Sequence, residues 1–146
     1  ELWQRRRPEV VRALSAAVND PTTATEVVLR LGSVMRPLLL AELPAQAVRD
    51  PAGRIVLTPC DLDHPEYIAH AFDQLRHYAA PHTHVVLALV RMLRMLRTGC
   101  ETAGDRAEAI AALDRQIDLI MAGCARAGIP AEDLAKIEAA ASPRNG

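Results

Sequence analysis

Aromatic residues are almost missing from this sequence. Trp3, Tyr67, Phe72 and Tyr78 are the whole set in 146 residues. The strands of a β-sandwich draw heavily on aromatic and β-branched side chains, so the composition argues against that architecture. Half of the residues are nevertheless hydrophobic, 50%. The core must be built from Ala, Val, Leu, Ile and Met, which suits close-packed helices. Lysine is scarcer still, with Lys136 alone against sixteen arginines. Together with the abundant alanine, this reads as a genome-wide coding bias and not as sixteen chosen guanidinium sites. Cysteine is sparse: Cys60, Cys100 and Cys124 are odd in number and far apart, with no CxxC pair. A disulfide framework is not expected, and a reducing compartment is the default. Charge of one sign is lacking too. A formal net charge of −1 and a sequence pI near 6.6 create no demand for a nucleic-acid partner. No apolar run approaches the ~20 residues of a membrane-crossing helix, and a signal peptide is not expected in residues 1–7. A start at Glu1 is expected of a piece cut from something longer. The length suits one domain.

What is present is helical periodicity. Residues 1–7 read as a flexible lead-in, and 8–141 as a single domain. Residues 142–146 read as a disordered tail. Pro8 suits a first helical turn, with Val10, Val11, Leu14, Ala17 and Val18 on one face. That helix ends at Asn19. Asp20 is placed to cap a second helix, with Pro21 at its first position. Ala24, Val27, Val28, Leu31, Val34, Met35, Leu38 and Leu39 then recur at i, i+3, i+4, and Pro37 should kink or end the helix. Asp50-Pro51-Ala52-Gly53 is a turn signal between short apolar runs. It predicts a small β-hairpin near residues 45–58, which should pack on helices or pair with another chain. Asp63 and Glu66 fit a capping box. The helix behind them turns Ile68, Ala71, Phe72, Leu75 and Ala79 inward. Pro81 opens a helix carrying Val85, Val86, Leu89, Met92, Leu93 and Leu96, which Gly99 closes. A long helix near 105–126 uses Ile110, Leu113, Ile117, Ile120, Met121 and Cys124, and Gly128 stops it. Pro130 opens a short last helix with Leu134 and Ile137. The predicted fold is mostly α, a compact single-domain bundle of about six helices with one small hairpin.

Chemistry-bearing residues are few. His64, His70, His77, His82 and His84 crowd residues 60–84 with Cys60, Asp61 and Asp63. Imidazole and carboxylate are metal ligands. But no HExxH motif appears, and the histidines read better as solvated or capping side chains, so no metal is assigned. Arg91, Arg94 and Arg97 fan round a helix instead of forming one line. A solvated face, or pairing with Asp114 and Asp118, fits them best. Ser15 lacks a GxSxG setting, and no P-loop or GxGxxG occurs. The cysteines fall at buried helical positions, where a thiol acts as a small hydrophobe. Nothing positive indicates an enzyme or a cofactor.

The stretch RALSAAVNDPTTA, residues 12–24, stands out for its small polar groups. A helix junction explains Asn19, Asp20 and Pro21. Arg12 and Ser15 are left over, on one helix side by their i, i+3 spacing. The start of the next helix also exposes N–H groups that favour an anion. If the stretch binds a small ligand or anion, the pocket residues are Arg12, Ser15, Asn19, Asp20 and Thr23, joined by Arg76 and Tyr78.

This stretch resembles the ALSPxxNDPxTA signature of the DUF2254 family of predicted bacterial membrane proteins. The later GRIVL and AFDQLRHYA segments are similar to that family in order and spacing, so the resemblance covers roughly residues 8–140. The matching positions are Ala13, Leu14, Ser15, Asn19, Asp20, Pro21, Thr23 and Ala24, then Gly53, Arg54, Phe72, Arg76 and Tyr78. Ala16 departs from the family's usual Pro, and Ala79 from a common Gly. The resemblance implies transmembrane helices ahead of this region, so the membrane is reached through an N-terminal part that this chain lacks. It implies no activity. The expectation is a non-enzymatic interaction or self-association domain, a homo-oligomer on the cytoplasmic side of the bacterial inner membrane. Arg5, Arg6 and Arg7 favour that side. The alternative is the small-ligand or anion sensor described above.

Overall fold

The structure, a computed structural model, describes residues 21–43, 47–57, 62–80 and 82–142. Among them are five α-helices and one two-stranded antiparallel sheet. The helix expected over residues 8–19 lies outside the described residues.

Helix α1 spans Pro21–Leu40. Ala24, Val28, Leu31, Met35 and Leu39 are buried at helical spacing, and Val27 and Leu38 pack partly against them. Val34 was expected in this face but is 54% exposed. It stands at the edge of the stripe, and α1 packs chiefly on one other helix, so only a narrow face is covered. Pro37 does not end the helix. The Ala41 N–H still bonds to the Pro37 carbonyl at 3.0 Å. A proline this near the end removes one N–H, and the carbonyl deprived of it belongs to Ser33, an exposed position.

The hairpin follows, with β1 at Val48–Arg49 and β2 at Ile55–Leu57. The pairs are Val48 with Leu57 and Arg49 with Ile55, so Val56 is an extra residue that breaks the register. Asp50 organises the turn. Its carbonyl accepts the Gly53 N–H at 2.8 Å. Its Oδ1 accepts the Ala52 and Arg54 N–H groups, both at 2.9 Å, and its Oδ2 accepts Arg54 Nε at 2.8 Å. Gly53 sits at φ +82°, a left-handed conformation that needs no Cβ. The bonds from Arg54's backbone and then its side chain hold the Asp50 carboxyl below its ordinary value of 3.8. Such a group supports the folded turn fully above pH 3.8, and that support is lost as pH falls through the lower folded value. The Ala52 and Arg54 amide resonances should therefore hold steady from pH 7 to 5 and move only below pH 3.8. Movement near neutral pH would show that the carboxylate does not organise this turn.

Helix α2, His64–Ala79, begins at the predicted capping box. The Glu66 N–H donates to Asp63 Oδ1 at 2.7 Å, and the Asp63 N–H donates to Glu66 Oε2 at 2.9 Å. Its buried face is the expected one: Ile68, Ala71, Phe72, Leu75 and Ala79. Helix α3 spans Thr83–Ala103 and buries Val85, Val86, Leu89, Val90, Met92, Leu93, Leu96 and Cys100. It does not close at Gly99. That glycine lies inside the helix, where a Cβ would stand 4.0 Å from Leu40 Cδ2. Gly104, at φ +67°, ends the helix instead. Helix α4 spans Ala107–Ala127 and stops at the left-handed Gly128, and α5 spans Ala131–Ala141 behind Pro130.

Helix α3 is the hub. It packs against α1, α4 and α5, while α2 lies mainly on α4. Gly32 of α1 faces Met92 and Met95, and eight residues later Leu40 faces Gly99, so α1 and α3 run parallel. The short turn at 104–106 reverses α4. There Arg106 reaches back to α1, donating from Nε to the Leu39 carbonyl and from Nη2 to the Leu40 carbonyl, both at 3.1 Å. These are carbonyls at the C-terminal end of α1, where a cation is favoured. On the α3–α4 face, Arg97 Nε bonds Asp114 Oδ1 at 2.7 Å, also pairs with Glu101, and Arg94 approaches the same oxygen at 3.9 Å. The Asp114 partner anticipated from the sequence is thus found, while Arg91 stays exposed.

Candidate functional site

Three of the residues expected in the pocket fall at one end of the bundle. The first turn of α1 carries Thr23, and the last turn of α2 carries Arg76 and Tyr78. Because α1 is parallel to α3, and α2 connects to the start of α3 through residues 80–82, these turns lie at the same end. Thr23 is exposed and already engaged in an interaction. Tyr78 is 41% exposed. Arg12, Ser15, Asn19 and Asp20 lie outside the described residues.

Arg76 belongs to a polar cluster between α2 and α4 that the sequence reading missed. Gln116 is buried at 3% exposure, and its Nε2 donates to Asp73 Oδ1 at 2.9 Å. Arg76 Nη2 stands 3.6 Å from the same oxygen. That carboxylate fixes the amide's orientation, since the flipped amide would set oxygen against oxygen. Gln116 Oε1 and Arg76 Nε are buried without a hydrogen-bond partner among the described residues, and so is His64 Nε2. A signal for Gln116 was present in the sequence. It stands three residues after Leu113 and four before Ile120, a polar side chain in the apolar phase of its helix.

The arrangement offers positioning and charge but no assembled nucleophile. Burial pushes the Cys100 thiol up, with Arg106 opposing, and burial likewise pushes up Cys124. Both are buried and protonated at neutral pH, the inert state of a thiol. Cys60 lies outside the described residues. Among the described residues no three His, Cys, Asp or Glu side chains come together. Asp63 is spent on its cap, and His70 Nδ1 lies 2.8 Å from the Glu66 carbonyl in its own helix. Asp61, also of the His/Asp crowd, is outside the described residues.

Against known families, the model of DUF2254, described as a predicted membrane protein, matches residues 10–95. This chain belongs to the DUF2254 family. The match runs from the RALSAAVNDPTTA stretch through α1, the hairpin and α2 into α3, and is shorter than the span of roughly 8–140 expected from the motifs. Helices α4 and α5, and with them Gln116 and Asp114, lie beyond the matched residues. Among curated proteins the DUF2254 chain resembles Uncharacterized protein Mb1321c of Mycobacterium bovis and Uncharacterized protein Rv1290c of Mycobacterium tuberculosis. Each is 33% identical over 90 residues, which is 62% of this chain. The match covers 17% of the length of those relatives. No solved structure matches. Among the described residues, no helix is long and apolar enough to cross a membrane.

Proposed function

We propose that this DUF2254 domain is a non-enzymatic interaction module of a membrane-associated protein, lying outside the bilayer on its cytoplasmic side and working through self-association. The observation that supports the reading is a pair of large exposed apolar side chains flanking the α1–α3 seam. Leu29 is 59% exposed and Met95 49%. Gly32, one turn after Leu29, has its Cβ position 3.7 Å from Met95 Cε. Helix α1 is thus covered by α3 on one side and presents large hydrophobic side chains beside that contact. Uncovered apolar surface of this kind marks contact sites on soluble domains. The family's description as a predicted membrane protein supports the membrane setting, and Arg5–Arg7 support the cytoplasmic side.

Multi-angle light scattering tests the reading. The 146-residue chain should run as a dimer or larger, and Leu29→Glu with Met95→Glu should yield a monomer of unchanged helicity. A wild-type chain that stays monomeric at high concentration sinks self-association. A second reading, a small-ligand or anion sensor at the Thr23–Arg76–Tyr78 end, is favoured by the unpartnered Arg76 Nε and Gln116 Oε1.

A further inference from the structure

The hairpin between α1 and α2 is apolar where an exposed arm would ordinarily be polar. Val48 is 46% exposed, Ile55 54%, Val56 61% and Leu57 58%. The extra residue at Val56 breaks strict alternation, so the three β2 side chains do not divide cleanly between two faces. The only charged groups from residue 47 to residue 57 are Arg49, Asp50 and Arg54. Asp50 is taken up by Arg54, and Arg49 Nη1 donates to the Gly53 carbonyl at 2.9 Å, which keeps both guanidiniums near the turn. The arm is therefore a short hydrophobic ribbon with a net positive turn.

Two occupants can be compared. A second copy would bring an arm of the same net charge. It would pair strands of two and three residues, too short for more than a few ladder bonds. Four apolar side chains also fall well below the ~800 Å² per partner of a stable protein interface. A bilayer surface needs neither a long strand edge nor a shaped partner. Apolar side chains enter below the headgroups while guanidiniums stay level with the phosphates. The positive turn complements anionic lipid, and the family's description as a predicted membrane protein agrees with a membrane setting. We propose that the hairpin, residues 48–57, docks side-on to a bilayer containing anionic phospholipid. Ile55, Val56 and Leu57 enter the interface, and Arg49 and Arg54 meet phosphates.

This inference rests on the membrane setting of the proposed function but not on self-association, so the two tests fail separately. The 146-residue chain is sedimented with phosphatidylcholine vesicles containing about one-third phosphatidylglycerol. Wild type should pellet with them, and several-fold less with phosphatidylcholine alone. Ile55→Asp with Leu57→Asp should lower partitioning at least about tenfold at unchanged helicity and melting temperature, because both side chains lie outside the core. In a Trp3→Phe background, Val56→Trp should show blue-shifted emission on adding the same vesicles. The idea is overturned if wild type stays in the supernatant with anionic vesicles, or if the double aspartate variant pellets as wild type does. It is also overturned if wild type ignores vesicles while the double variant dissociates an oligomer, which would make the arm a protein contact.

Discussion

Replacing Gly32 with alanine is expected to destabilise the domain by about 1–2 kcal/mol, although removing a glycine from a helix interior ordinarily stabilises by ~1 kcal/mol. The added Cβ would lie 2.6 Å from Met92 Cγ and 3.3 Å from its Sδ. Cγ is only one carbon beyond Cβ on a side chain that is 2% exposed, so it cannot swing clear without disturbing the seam. Overpacking of this kind costs ~1–3 kcal/mol, which exceeds the propensity gain. Helix α1 rests chiefly on α3, so relief would come by prising α1 away. Gly123→Ala is the control. Nothing lies within 4 Å of its Cβ position, and that substitution should stabilise by up to ~1 kcal/mol. Urea unfolding of both variants decides the matter. Adding Met92→Ala to Gly32→Ala should cost less than the sum of the two single changes, because the clash is gone. If Gly32→Ala gains stability as Gly123→Ala does, the close approach of α1 and α3 is wrong.

That close approach shows what a single sequence can and cannot reveal. Helix faces were legible because burial follows a 3.6-residue period: all five residues predicted inward on α2, and all six on α3, are buried. The hairpin turn and the Asp63–Glu66 capping box were legible because their chemistry is local. Contacts between distant segments were not. Gly99 looked like a helix end because glycine is common there. Its place is set by Leu40, 59 positions away in sequence, and nothing near Gly99 records that neighbour. Val34 fitted the apolar period of α1, yet whether an edge position is covered depends on how many helices pack there. Arg106 as the cap of α1 and Gln116 as the partner of Asp73 depend likewise on tertiary approach, although Gln116's phase within α4 gave a local hint. Of the expected pocket residues, Arg12, Ser15, Asn19 and Asp20 lie outside the described residues. The motif suggested the residues, and the parallel run of α1 and α3 explains why Thr23 falls at the same end as Arg76 and Tyr78.

The largest effect is expected at Phe72, and it tests how an aromatic-poor core holds together. Phe72 is the single phenylalanine and is fully buried, at 0% exposure. It sits on the α2 face between Ile68 and Leu75, and α2 is held to the bundle mainly by α4. The buried core is otherwise aliphatic, and among the described residues it holds no second aromatic ring to take the place of this one. Phe72→Ala should therefore cost ~3–5 kcal/mol, a third or more of the ~5–15 kcal/mol typical of a domain. Phe72→Leu, which keeps most of the volume, should cost about 1.5 kcal/mol or less. Val56→Ala, on the exposed arm, should fall within ~0.5 kcal/mol of wild type. Urea midpoints for the three variants give the ranking. The loss should also be felt at the Asp73–Gln116–Arg76 cluster. Arg76 and Tyr78 are four and six residues beyond Phe72 on the same helix, and Asp73 is its neighbour. In Phe72→Ala, amide exchange should quicken over α2 and its contacts with Gln116 before it quickens over the α1–α3 seam. A loss below 1 kcal/mol for Phe72→Ala would mean that α2 is not anchored through this side chain but through the rest of its buried face and the Asp73–Gln116 bond.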